Sequence, residues 1–339
     1  MLTELDYLPE KFLQVEASEL HTILRGPTLI HLPGRRDAPL FVSILLHGNE
    51  DTGLKAMQAV LKKYQNQLLP RALSLYVGNI EAARAGMRRL EGQLDYNRVW
   101  SFDADSVITA EHRMMQTVIS IMAQRGVFAS IDIHNNTGLN PHYACVNRLD
   151  DAFLHLATMF SRIVVYFTEP KGVQSGAFAQ LCPAVTLECG KPGGIGGAEH
   201  AASFVEGALH LSAFPTHPVA NHDLELFHTV AIVTVPNTVS LSVGDISTDL
   251  CLIDNIDYYN FRLLEPGTRL GVVAFGCKRP LQVRNDAGND MSDHYFENRE
   301  GNLLTKQQVM PAMLTRDIRI IRQDCLCYLM ERLERNSSA

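Results

Sequence analysis

Hydrophobic positions along this chain fall into short unbroken runs, each closed by a polar or glycine-bearing break. The run at 40–46, which includes Phe41-Val42-Ser43-Ile44-Leu45-Leu46, carries no charge and predicts a strand buried on both faces. It gives way to His47-Gly48-Asn49-Glu50, after which 52–67 follow helical spacing through Leu54, Met57, Val60, Leu61 and Tyr64. The alternation continues, with strands expected at 28–31, 72–77, 127–134, 143–146, 163–167 and 184–188 and helices at 110–125, 150–160 and 198–213. Residues 1–24 read as an arm, helical over 9–20. The charged stretch 80–106 reads as a long loop with a helical piece, which in a compact domain is usually functional. Residues 169–180 read as a loop. Strands alternating with helices predict an α/β domain whose mixed, mostly parallel sheet is flanked by helices.

Pro215 and Pro218 mark a change of pattern. Beyond them, short apolar runs at 230–235, 239–243, 269–275, 281–284, 303–304 and 319–321 are separated by turn residues, as in a β-rich domain. Periodicity does not choose between strand and helix for 325–333. The expected organisation is an α/β domain over 1–218 followed by a smaller β-rich domain over 219–339.

Composition narrows the function classes. A formal charge of −7 argues against a nucleic-acid or anionic-membrane surface, though not against a local basic pocket. Seven cysteines without framework spacing fit a reducing compartment. Cys325 and Cys327 are one residue apart and read as alternate positions on a strand, not as a redox motif. The first residues form no basic-then-apolar leader, and no apolar run approaches the ~18 residues of a membrane span. These features together point to a cytoplasmic protein.

The break after the first core strand is the leading chemical candidate. His-x-x-Glu spacing occurs three times, at His47/Glu50, His222/Glu225 and His294/Glu297. Among 13 histidines roughly one match is expected by chance, so spacing alone decides nothing. Only the first pair follows a core strand, has a flanking glycine and opens a helix; the other two lie in polar stretches and read as solvated loop. Two more predicted strands end in site-type residues, His134 and Glu188. In a mostly parallel sheet the C-terminal ends share one edge, where ligands bind. Two histidines and one carboxylate with an open position make a catalytic zinc set, so His47, Glu50 and His134 are the expected ligands of one Zn2+ per chain. Glu188 is then the free carboxylate that carries the proton. Asp132 shares the face of His134 and either holds its imidazole or is simply a polar strand-end residue. Arg98 is a candidate for a substrate carboxylate or the oxyanion. The Gly-rich stretch 190–197 lacks the spacing and position of a dinucleotide loop.

Four motifs taken in order carry a resemblance: His47-Gly48-Asn49-Glu50, Asp95-Tyr96-Asn97-Arg98, Asp132-Ile133-His134-Asn135 and Leu187-Glu188-Cys189-Gly190. The chain resembles the succinylglutamate desuccinylase/aspartoacylase family, a branch of the carboxypeptidase A-type zinc enzymes. The resemblance implies a zinc carboxypeptidase-like α/β fold followed by a small β domain. It implies His47, Glu50 and His134 as zinc ligands, Glu188 as general base, and Asn97 and Arg98 at the substrate. Arg88 or Arg89 takes the place of a further substrate arginine. The implied reaction is hydrolysis of the amide of an N-acyl amino acid or related small amide. Two departures stand out. Asn79-Ile80 replaces the family's Asn-Pro, and 175–179 hold no arginine where aspartoacylase-like members carry one, which removes a basis for a dicarboxylic substrate. Tyr295 is a further candidate to reach the site. The competing expectations are a metallocarboxypeptidase acting on peptide C-termini, a non-catalytic metal-binding relative and a metal-free nucleotide-binding protein. A homo-oligomer is left open.

Overall fold

The computed structural model describes residues 1–101, 107–245 and 247–334, so the end of the expected loop at 80–106 lies outside the described residues. The chain divides into two compact units, Met1–Asn135 with His142–Glu225, and Asn136–Pro141 with Leu226 onward.

In the first unit the strands are β1 (Thr3–Leu5), β2 (Thr28–Leu32), β3 (Leu40–Ile44), β4 (Leu73–Val77), β5 (Ala129–His134), β6 (Tyr143–Val146), β7 (Ile163–Tyr166) and β8 (Ala184–Glu188). The helices are α1 (Thr52–Lys63), α2 (Ile80–Arg84), α3 (Ala110–Gln124), α4 (Asp151–Thr158), α5 (Gln174–Phe178) and α6 (Gly197–His210). The strands run in the order β1-β2-β4-β3-β5-β8-β6-β7. All neighbours are parallel except β2/β4 and β6/β8. The mixed, mostly parallel sheet expected from the sequence is therefore present, with β3, β5 and β8 at its centre.

Strand alternation explains how the site is laid out. Ile44 and Ile133 face α1, and Gly53 of that helix sits so close that an added Cβ would lie 2.8 Å from the Ile44 side chain. The opposite face carries Phe41, Ser43, Ser130, Asp132, His134, Thr186 and Glu188. There Phe41 stacks on Phe178 of α5 at 4.3 Å, and Trp100 closes the cluster edge-on to Phe41, Tyr76 and Phe178. Trp100 is fully buried; its backbone N–H donates to the Gly172 carbonyl at 3.0 Å and its indole N–H to the Tyr96 carbonyl at 2.8 Å. This anchors the loop that carries Asn97 and Arg98.

Several local expectations are corrected. β3 stops at Ile44 because Leu45 turns into the left-handed region at φ 55°, a conformation costly for a non-glycine residue. The turn is fixed by Gly78 and Asn79, whose N–H groups donate to the Ile44 and Leu45 carbonyls. The arm over 9–20 is not a helix: Lys11 sits at φ 69°, and β1 and a 3-10 turn at Ala17–Thr22 form instead. The stretch 169–180 contains α5, whose N-terminal Gln174 and Ser175 are buried.

The second unit contains β9 (Glu225–Thr234), β10 (Leu241–Val243), β11 (Leu250–Leu252), β12 (Arg269–Val273), β13 (Gln282–Asn285), helix α7 (Ser292–Tyr295), β14 (Phe296–Arg299), β15 (Asn302–Thr305), β16 (Met310–Ala312), helix α8 (Ile318–Gln323) and β17 (Cys327–Arg332). β9 pairs antiparallel with β13 and β17, and β17 with β16. Among the described residues a five-stranded sheet runs β10-β11-β12-β15-β14. The run at 319–321 is helical, not a strand, because Asp317 caps it by accepting from the Arg319 N–H at 3.0 Å. The undecided segment 325–333 resolves into β17. His222 is exposed in a short 3-10 turn and His294 is exposed on α7, so neither competes with His47 for a site.

Trp100→Ala is expected to cost about 3–5 kcal/mol of unfolding free energy, the usual range for a fully buried aromatic. Urea unfolding followed by circular dichroism measures it. A loss within experimental error would contradict the anchoring role.

Candidate metal centre

Three residues brought together by β3, the following turn and β5 form the centre of the site. Glu50 lies between two imidazoles. One carboxylate oxygen is 2.8 Å from His47 Nδ1, and the other is 2.8 Å from His134 Nδ1. Ligand atoms of His47, Glu50 and His134 all lie within 4.8 Å of one another, and all three residues are buried. The position of Glu50 follows from local structure. The Asn135 N–H donates to its Oε2 at 3.1 Å, the Glu50 N–H returns to the His47 carbonyl at 3.2 Å, and Gly48 packs against α2. A Cβ on Gly48 would sit 2.1 Å from the Ala83 nitrogen, so glycine is required for that approach.

Each imidazole also meets an outer carboxylate. His47 Nε2 is 3.1 Å from Asp95 Oδ1, and His134 Nε2 is 2.7 Å from Asp132 Oδ2. Asp132 is held in turn by the Ser43 hydroxyl at 2.7 Å. A carboxylate on the far nitrogen fixes the tautomer and leaves the near nitrogen to face the centre, the arrangement that orients metal-binding histidines. The donor set of two imidazole nitrogens and one carboxylate, converging in a buried space, fits a divalent transition metal.

The charges agree with this geometry. Burial opposes ionisation of Glu50, yet the His47 and His134 charges hold its carboxyl well below the ordinary range. Burial likewise opposes Asp95, which His47 and Arg88 hold low. His134 is disfavoured as a cation by burial but pushed well up by Asp132 and Glu50. The Arg88 guanidinium, beside both Glu50 and Asp95, adds positive charge to the same cluster.

The remaining expected residues are placed as follows. Glu188 ends β8 directly beside His134 in the parallel β5/β8 register and is 5% exposed. The side-chain N–H2 of Asn97 lies 3.2 Å from His134 Nε2, and its carbonyl accepts from the Gln174 N–H at 2.9 Å. Arg98 donates to the Asn97 carbonyl at 2.8 Å. Arg88 reaches the centre, 3.5 Å from Glu50 and 3.2 Å from Asp95, whereas Arg89 donates to the Gln93 carbonyl. Tyr295 lies in the hydrophobic core of the second unit.

Two further residues complete the site. Asp95 opens the Asp95-Tyr96-Asn97-Arg98 motif, so its position was visible though its contact with His47 was not. Gln174 lies in a stretch with no helical signature. It fixes Asn97 through its backbone N–H and Ser130 through its side chain at 2.6 Å.

Comparison with known proteins bears on the same region. The family model described as succinylglutamate desuccinylase/aspartoacylase catalytic domain matches residues 40–214. Comparison with curated protein sequences gives no match. Among solved structures, the chain is similar to a succinylglutamate desuccinylase from Chromobacterium violaceum, with 18% identity, TM-score 0.53 and coverage of 88% of this chain and 86% of that one. It is similar to murine aminoacylase 3, with 14% identity, TM-score 0.56 and coverage of 88% and 96%. A succinylglutamate desuccinylase/aspartoacylase from Rhodobacter sphaeroides matches with 12% identity, TM-score 0.53 and coverage of 91% and 89%. At these identities the structural likeness speaks for the fold.

Two outcomes are expected. Asp95→Asn lowers divalent-metal affinity by about 10–100-fold, read by competition with a chromophoric chelator. An unchanged affinity would remove Asp95 from the site. In chelator-treated protein the stability contributed by Glu50 and Asp95 is present above the ordinary carboxylate range near about 4 and is lost as pH falls below it, through the depressed values the two groups have in the fold. The raised His134 works in the opposite sense, losing its contribution only as pH rises through its elevated value. Denaturant titrations carried down to strongly acidic pH should therefore show a loss that begins only below about pH 4 and shrinks in Asp95→Asn.

Proposed function

The chain belongs to the succinylglutamate desuccinylase/aspartoacylase family, and on that premise we propose that it is a zinc-dependent deacylase. Its substrate would be an N-acyl amino acid or a related small amide. The observation that carries the reading is the convergence of His47 Nδ1, His134 Nδ1 and the Glu50 carboxylate, with Glu188 in register beside His134.

His47, Glu50 and His134 would hold the ion, with Asp95 and Asp132 orienting the two imidazoles. When bound, zinc supplies Lewis acidity that brings the pKa of water toward about 7 and polarises an amide carbonyl. The chain's own residues do the rest. The Glu188 carboxylate accepts a proton from the attacking water and delivers it to the leaving amide nitrogen. Its burial at a strand end fixes it beside His134 without making it one of the converging ligands. Arg98 supplies a fixed positive charge for the substrate carboxylate or for the oxygen that gains charge during attack. Asn97, held by the Gln174 N–H, presents its amide N–H2 on the same side as His134. Arg88 ties Glu50 to Asp95, so its first task is to hold the carboxylates of the centre. Arg89 contributes through the Asn79–Arg98 loop.

Glu188→Gln is expected to lower hydrolysis of a responsive N-acyl amino acid by about 10²–10⁴-fold while zinc content stays near one per chain. A panel of N-acyl amino acids assayed with metal analysis tests both parts. Full activity in Glu188→Gln would contradict the proposed proton carrier.

A further inference from the structure

A second charged site lies at the other end of β3. Arg35 and Arg36 occupy the turn before that strand, and backbone bonds fix the turn on both sides. The Arg35 N–H donates to the Leu69 carbonyl at 2.9 Å, and the Ala72 N–H to the Arg36 carbonyl at 2.8 Å. Gly34 permits this packing, since a Cβ there would lie 2.1 Å from the Arg71 carbonyl carbon and 2.2 Å from the Ala72 nitrogen. A glycine thus brings one arginine-bearing segment against another.

Arg71 is only 2% exposed. Its guanidinium lies 3.6 Å over the Phe128 ring and donates to the Ala38 and Leu211 carbonyls at 2.7 and 2.8 Å, while its buried Nε has no partner. Burial and the charge of Arg36 both disfavour the Arg71 cation. Among the described residues none of Arg35, Arg36 and Arg71 has a carboxylate within 4.0 Å. Like charges held together without a counter-ion are costly, and a bound anion removes that cost.

A cleft of about 570 Å³ opens at this point, lined by Arg35, Arg36, Tyr64, Gln67, Pro70 and His210. The Tyr64 hydroxyl lies 3.1 Å from His210 Nε2. Glu206, whose charge reaches Tyr64, is paired with Lys63. The Tyr64 hydroxyl also hydrogen-bonds Glu206, so the donors left to the cleft are two guanidinium groups and an imidazole. Guanidinium pairs suit the geometry and charge of a phosphoryl group.

We propose that this cleft binds a small molecule through a phosphoryl group, with Arg35 and Arg36 as its direct ligands, His210 as a further donor, and Arg71 as fixed positive charge behind them. β3 begins beside the cleft and ends before His47; its five residues at ~3.3 Å each put the two sites roughly 16 Å apart. The bound molecule is accordingly an effector or anchor, not the group that reacts.

The test is calorimetric titration of inorganic phosphate and of pyrophosphate into the full chain at low salt, in the native protein, Arg35→Gln/Arg36→Gln and Arg98→Gln. One saturable site is expected, weakened at least ~10-fold in the double variant and unchanged in Arg98→Gln. Both side chains are exposed, so the fold should be retained. Circular dichroism checks this, and the single variants Arg35→Gln and Arg36→Gln supply a second measure, each expected to show partial loss. Absence of saturable binding at millimolar phosphate would overturn the proposal. So would binding that survives the double variant but is lost in Arg98→Gln, which would place the anion at the metal centre. Tighter binding of citrate than of pyrophosphate would overturn the phosphoryl assignment.

Discussion

The centre of the first unit depends on one carboxylate shared between two imidazoles. Glu50 faces His47 Nδ1 and His134 Nδ1 at 2.8 Å each, although His134 is 84 residues further along the chain and all three residues are buried. Burying such a group is unfavourable unless every oxygen and nitrogen is matched. The matching is nearly complete: the Asn135 N–H and Arg88 supplement the imidazoles on Glu50, while Asp95 and Asp132 meet the far nitrogens. The converging ligand atoms leave a buried place suited to a small cation.

The surrounding chain is shaped to hold that carboxylate in place. Leu45 accepts a left-handed backbone so that the chain can turn immediately beyond β3. Gly48 allows the turn to lie against α2 at a distance no side chain tolerates. On the same face of the sheet a buried polar network continues outward: Ser43 on Asp132, Gln174 on Ser130 and Asn97, and Thr186 on Ser175. Networks of this kind are rigid because each member is costly to leave unmatched. The aromatic cluster of Phe41, Trp100, Tyr76 and Phe178 supports it from below and fixes the Asn97-Arg98 loop.

Much of this was legible in the sequence, and the reasons are specific. Strands β3, β5 and β8 are short, mostly apolar runs bounded by turn residues, so His134 and Glu188 at the ends of two of them, and His47 just beyond the third, could be located by pattern. Asp132 could be placed on the face of His134 by alternation alone. Asp95 could not, because a contact between a loop residue and a strand-end histidine has no periodic signature. Gln174 was hidden for a related reason: a five-residue helix makes too few turns for a repeat to register. The end of β3 was misjudged by two residues because Leu45 is hydrophobic, and composition gives no hint of a left-handed leucine. The 319–321 run is apolar enough to fit a strand, and its helical state rests on the cap that Asp317 provides.

The most direct test of the metal centre is anomalous diffraction at the zinc edge from crystals grown with zinc. One peak per chain should appear at bonding distance, about 2.0–2.2 Å, from His47 Nδ1, His134 Nδ1 and a Glu50 oxygen. A peak bound elsewhere, or no peak with both imidazoles still paired to Glu50, would contradict it.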